Sequence, residues 1–141
     1  MPVSPTTFYR TSIKALIFDE HKKILLAKDG GNNGKWDFPG GGMDWGETPH
    51  VCLAREIQEE MGIAATWIAD HPSYFYSGQS DKGLWFAYAI YEARLEHLNF
   101  TLSDECVEVK FFSVEEAKNQ NIFSNIAAFL ELYRAERHEA V

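Results

Sequence analysis

The sequence predicts an α/β/α sandwich, a β-sheet covered by helices on both faces, and three observations carry that prediction. A capped helical stretch of three to four turns lies near the middle of the chain. Short runs rich in β-branched and aromatic residues precede and follow it. The last segment has apolar residues at helical spacing.

Taken in order, residues 11–18 (TSIKALIF) and 24–28 (ILLAK) read as strands, forming a hairpin around Asp19-Glu20-His21-Lys22. Residues 30–34 form a loop rich in turn formers. Trp36 to Pro39 is a short extended entry to Gly40-Gly41-Gly42. That run is expected to be neither helix nor regular strand, because three glycines permit positive φ and close backbone approach. Thr48 is suited to cap a helix, Pro49 to occupy its first position and Gly62 to end it, so residues 49–61 should be helical. Val51, Leu53, Ala54, Ile57 and Met61 are left to face the core. Strands are expected at 63–69, 73–77 and 84–95, the last two joined by the polar turn 78–83. The run LWFAYAIYEA is apolar on both faces, as in a central strand covered on both sides. Residues 107–112 form a further strand, and Ser113 with Glu116 makes a capping box for a short helix. From about 124 to 137, Ile126, Phe129, Leu130 and Tyr133 predict a helix packed on the sheet.

Chemistry concentrates on the central helix. Glu56, Glu59 and Glu60 stand at i, i+3 and i+4, which places three carboxylates on one face. Such like charges cost a bare helix a few tenths of a kcal/mol per pair. A hard divalent cation relieves that repulsion, and oxygen ligands are what Mg²⁺ and Mn²⁺ prefer. The alternative reading of these residues alone is a solvated acidic face. Arg55 can reach Glu59 one turn on, and Glu47 lies at the positive end of the helix dipole, where an acid stabilises the fold without touching a metal.

From Gly41 to Ile63 the chain reads GGMDWGETPHVCLAREIQEEMGI, which is G-x5-E-x7-R-E-U-x-E-E-x-G-U with U apolar and every specified position filled. Chance coincidence of that pattern has a probability on the order of 10⁻⁷. In this box the chain resembles the Nudix (MutT-like) hydrolases. The resemblance implies the Nudix fold, an α/β/α sandwich with a mixed sheet, as a single domain over residues 1–141. It also implies metal-dependent hydrolysis of a nucleoside diphosphate linked to another group X, by water attack at phosphorus. The implied metal ligands are the Gly41 carbonyl, with Gly40 a second candidate, and Glu56, Glu59 and Glu60. The implied catalytic residues are Glu56 or Glu59 as a base and Arg55 as their orienter. Glu47 and Gly62 serve the structure of the box. A carboxylate about six residues before a late-strand aromatic often completes such sites; Glu105 stands six before Phe111, with Glu108 as competitor. The cofactor implied is Mg²⁺ or Mn²⁺, and family members often pair as homodimers.

For the substrate, the flat aromatics Trp36, Phe38 and Trp45 are candidates for stacking on a base, and Trp85 and Tyr74–Tyr76 for lining the same cleft. Each has core or hairpin packing as its alternative. Arg10, Lys28 and Lys35 are candidate phosphate contacts. ADP-ribose hydrolases of the family tend to carry a proline about sixteen residues past the box, where Gln79 stands, and the tyrosine typical of diadenosine polyphosphate hydrolases is missing from that region. These absences favour a (deoxy)nucleoside triphosphate cleaved to monophosphate and pyrophosphate. A nucleotide sugar, a dinucleoside polyphosphate or another diphosphate is the alternative, and a non-catalytic nucleotide-binding sensor is a third.

Composition fits one small enzyme. At 141 residues there is room for one sizeable core. No apolar run approaches the roughly 18 residues that span a bilayer, and the opening MPVSPTTFYR lacks the pattern of a secretory signal. Cys52 and Cys106 form no metal or redox spacing, so free thiols and a cytoplasmic location are expected. Thirteen basic against 21 acidic residues give a net charge of −8, which argues against binding a nucleic-acid polymer. An acidic cleft repels an anionic substrate unless bound cations invert the local field, so electrostatics also calls for the metal.

Overall fold

The computed structural model describes residues 7–31, 34–103 and 106–138. Strand β1 (Arg10–Leu16) runs parallel to β7 (Trp85–Leu95) and antiparallel to β4 (Gly40–Gly42). The far edge of β7 takes two antiparallel neighbours in succession, β6 (Tyr74–Gln79) and β5 (Ala65–Ile68). These five strands form a mixed sheet. A second, antiparallel sheet orders β3 (Trp36–Asp37), β2 (Ile24–Asp29) and β8 (Cys106–Phe112). With helices on either side this is the expected α/β/α arrangement.

Alternation along β1 and β7 assigns the two faces. Ile13, Ala15, Ala89, Tyr91 and Ala93 pack beneath helix α1 (Pro49–Met61) with Leu53, Ile57 and Met61. Leu16, Tyr88 and Ile90 point the other way, into a cluster with Phe38, Tyr74, Ile126 and Phe129 under α3 (Ser124–Leu132). Strand β7 is therefore covered on both faces, as its apolar run predicts. Phe38 and Phe129 meet edge to face at 4.8 Å, a geometry that adds about 1 kcal/mol to simple burial.

Helix α1 has the predicted ends. The Thr48 hydroxyl accepts from the Val51 N–H at 3.2 Å, Pro49 opens the helix, and Gly62 closes it at φ 64°. Its buried face differs from expectation: Cys52 lies inside, while Val51 and Ala54 are exposed. Leu53, Ile57 and Met61 recur every four residues, and on that stripe Cys52 is the flanking position that points inward. Both cysteines are free and buried.

Three other expectations change. Strands β1 and β2 do not form a hairpin but belong to different sheets. Their antiparallel contact is confined to the turn, where the bridge Phe18↔Ile24 is joined by bonds from Leu25 N–H to the Ile17 carbonyl and from Asp19 N–H to the Lys23 carbonyl. The glycine run is a short strand: Gly40, Gly41 and Gly42 pair with Lys14, Ile13 and Ser12. Gly40 achieves this at φ 129°, where an added Cβ would lie 2.1 Å from the Ile13 carbonyl oxygen, so only glycine fits. The last helix stops at Leu132. Tyr133 is extended, Arg134 N–H donates to Tyr74 Oη, and a 3₁₀ turn, Ala135–His138, docks His138 against that same hydroxyl at 2.7 Å. The predicted capping box of α2 (Val114–Lys118) is present, Ser113 and Glu116 each bonding the other's backbone. Among the described residues no helix is long and apolar enough to cross a membrane.

Candidate active site

The pairing of β4 with β1 brings the glycine run alongside α1, and glutamates from α1 fill the space the glycines leave open. Gly41 lies so close to Glu56 that a Cβ there would sit 2.6 Å from Oε1. Gly40 N–H donates to Glu60 Oε1 at 2.8 Å. Glu56 and Glu60, one helical turn apart, line a cleft of about 200 Å³ between α1 and the two sheets, together with Lys14, Lys28, Asp37 and Cys106. Burial pushes the Glu60 carboxyl up to about 7 against the opposing pull of the Gly40 N–H and Lys14. Burial also raises Glu56, with Arg55 pulling it down. Two carboxylates that lose solvation in one cleft call for a cation beside them.

Arg55 gathers the remaining acids. Its Nε and Nη2 donate to the two oxygens of Glu47 at 2.6 and 2.9 Å, a bidentate pair. Nη1 reaches Glu56 at 3.1 Å and Glu59 at 3.2 Å. The Arg55 bonds, with the Asp44 N–H, hold the Glu47 carboxyl down at about 2. Glu47 is thus the clamp that orients Arg55, a more specific part than a helix-start acid. Glu59 is half exposed and held by Arg55 away from the cleft. Among the described residues no three acidic, His or Cys side chains converge closely enough to form a metal centre.

Other expected residues scatter. Trp36 is buried edge to face against Phe112 and Phe38 against Phe129. Both rings are committed to the core, which corrects their assignment as stacking platforms. Trp45 is fully exposed, and Trp85 is half exposed beside Tyr9. Arg10 lies over Gly42, outside the cleft residues. Lys28 lines the cleft but leans on Trp36 and Glu108, its ammonium 3.8 Å from the Glu108 carboxylate. Lys35 is paired with Asp81. Glu105 lies outside the described residues.

Sequence reasoning missed the polar group at the back of the cleft. Lys14, 7% exposed, donates to Asp37 Oδ2 at 3.1 Å. Asp37 Oδ1 accepts from Phe38 N–H at 2.7 Å and from Asn125 Nδ2 at 2.9 Å. Burial alone would lower the Lys14 pKa, but Asp37 and Glu60 outweigh it and hold the ammonium charged. The available signal was a single lysine inside the strand run TSIKALIF, at a position that alternation turns inward. Asn125 also borders a second cavity of about 290 Å³, walled by Leu84, Phe86, Tyr88 and Phe123.

Fold and site together define a sandwich with an acidic, glycine-lined cleft on its central helix. The NUDIX domain model matches residues 8–133, and the chain belongs to that family. Among curated proteins it is similar to an RNA pyrophosphohydrolase of Vibrio atlanticus (strain LGP32), 40% identical over 55 residues, which are 39% of this chain and 31% of that one. It is also similar to Nudix hydrolase 26, chloroplastic, of Arabidopsis thaliana, 35% identical over 72 residues, or 50% of this chain and 33% of that one. The chain thus spans about a third of the length of these relatives. Among solved structures, the MutT protein of Methanosarcina mazei Go1 superimposes with a TM-score of 0.80 at 23% identity, over 96% of this chain and all of that one. That likeness speaks for the fold.

Proposed function

We propose that this chain, acting as a single domain over residues 1–141, is a metal-dependent pyrophosphohydrolase of nucleoside diphosphate derivatives. Its favoured substrate is a (deoxy)nucleoside triphosphate, cleaved to monophosphate and pyrophosphate. The observation that carries the reading is the pair of desolvated carboxylates, Glu56 and Glu60, set against a glycine strand that leaves no room for a side chain.

The residues fit a hard divalent cation, Mg²⁺ or Mn²⁺. Glu56, Glu60 and the Gly41 carbonyl are the oxygen donors such an ion prefers, and Glu59 from the same helix would join them on turning from Arg55 toward the cleft. When bound, the ion neutralises the diphosphate and lowers the pKa of water. Arg55, fixed by Glu47, holds Glu56 at the cleft and Glu59 at its edge. Water adds to phosphorus as the bridging P–O bond breaks, and its proton passes to a carboxylate, with Glu56, Glu59 and Glu105 as candidate bases. The base of the substrate enters the cavity walled by Leu84, Phe86, Tyr88 and Phe123, which offers flat rings and the Asn125 amide. That cavity replaces Trp36 and Phe38 in the recognition role. The relative named an RNA pyrophosphohydrolase adds RNA to the alternative substrates, against the acidic balance of this chain. A cytoplasmic location and a homodimer belong to the same proposal.

The test is product release over a panel of nucleoside triphosphates, nucleotide sugars and dinucleoside polyphosphates with Mg²⁺, Glu59→Gln serving as control. Pyrophosphate from triphosphates, lost in the variant, supports the reading. Turnover of another diphosphate alone replaces the substrate, and nucleotide binding without turnover replaces the enzyme by a sensor.

A further inference from the structure

A cleft that takes a diphosphate needs positive charge beyond one cation, and the basic residues nearest it are mostly spent. Arg55 uses its guanidinium on Glu47, Glu56 and Glu59. Lys28 leans on Glu108 and Trp36, and Arg10 sits outside, over Gly42. Lys14 differs. Its ammonium lies at the back of the cleft that Glu56 and Glu60 line, its side chain 9% exposed. Among the described residues its hydrogen-bond acceptor is Asp37 Oδ2, and an ammonium carries three donors. Asp37 is also held by Phe38 N–H and Asn125, so the lysine's direction is fixed by two elements besides its own strand. A desolvated, pre-oriented ammonium with donors unspent is a site for an anionic oxygen.

We propose that Lys14 contacts a phosphate oxygen of the substrate directly, on the side of the cleft facing Glu56 and Glu60. This rests on the proposed function, since it assigns a contact within that cleft. Asp37 then acts as the positioning residue for Lys14, and the pair brings a fixed cation to the diphosphate in an otherwise acidic cavity.

The test is calorimetric binding of inorganic pyrophosphate in Mg²⁺ to the native chain, Lys14→Met and Asp37→Asn, with thermal unfolding to confirm folding. Lys14→Met keeps the length and apolar stem of the side chain, and should bind pyrophosphate roughly ten- to a hundredfold more weakly, the range of one charge-assisted hydrogen bond. Asp37→Asn keeps a side-chain oxygen to accept from Lys14, so the ammonium stays placed while its counterion charge is lost, and it should bind at least as tightly as the native chain. Equal binding by native and Lys14→Met overturns the proposal. So does an equal loss in both variants, which would make the pair a brace between the sheets. Loss of nucleotide binding with pyrophosphate binding retained moves Lys14 to the base and also overturns it. Failure of the proposed function reads differently: the native chain would then bind pyrophosphate yet hydrolyse nothing in the panel.

Discussion

Replacing Gly41 by alanine tests the geometry of the cleft with one methyl group. Gly41 is not at positive φ, so alanine costs no backbone strain there, and the effect is steric. The new Cβ would meet Glu56 Oε1 at 2.6 Å, against 3.4 Å for ordinary contact, so the carboxylate must retreat by 0.8 Å. A carboxylate at the end of a flexible side chain can do that cheaply, for about 1 kcal/mol of stability, the low end for overpacking. Catalysis should not be so tolerant. Metal–ligand distances hold to about 0.2 Å, and a misplacement of about 1 Å costs roughly a hundredfold in rate. Urea unfolding and steady-state pyrophosphate release separate the two effects. The expected result is a near-native midpoint with turnover down roughly a hundredfold. Native kinetics in a folded Gly41→Ala protein would refute the packing argument for Glu56. Gly40→Ala is the contrast, because its Cβ would strike backbone at 2.1 Å from a residue at φ 129°, and folding itself should fail.

Three further outcomes are expected. Glu105→Gln should lower turnover at least tenfold with folding intact; near-normal kinetics there and a damaged Glu108→Gln would move the role to Glu108. Tyr74→Phe removes the hydroxyl shared by His138 and the Arg134 N–H, which should cost about 1–3 kcal/mol and lower the melting temperature by several degrees; an unchanged midpoint would show that the terminal turn is not anchored there. Glu116 is held down at about 2, chiefly by the Ser113 N–H and also by Lys23, from an ordinary value of 4.5. Its stabilisation is therefore fully present above pH 4.5 and lost as the pH falls towards 2. Acid unfolding should find Glu116→Gln weaker than the native chain near neutrality and equal to it at about pH 2; a difference that persists in acid would contradict the linkage.

Local chemistry was legible in the sequence where local rules govern it. Thr48, Pro49 and Gly62 set α1 to the residue, and Ser113 with Glu116 set the start of α2. The motif placed Glu56, Glu60 and the glycine strand in one cleft. What escaped was decided by contacts between distant segments. Whether β1 and β2 pair depends on which sheet each joins, and the turn between them does not encode it. The interior places of Trp36 and Phe38 come from Phe112 and Phe129, some 75 and 90 residues away. Lys14 joins the site only because Asp37 and Asn125, from two other elements, arrive beside it. The last helix ends early because Tyr74, on β6, captures Arg134 and His138.

In the proposed mechanism, carboxylates of α1 and a divalent cation act together to break a phosphoanhydride bond. This mechanism is tested most directly by pyrophosphate release from nucleoside triphosphates by the native chain and Glu60→Gln, in Mg²⁺ and in EDTA. Turnover is expected in Mg²⁺ for the native chain, none in EDTA, and a loss of at least a hundredfold in Glu60→Gln. Turnover that survives EDTA, or a Glu60→Gln protein as active as the native one, would contradict it.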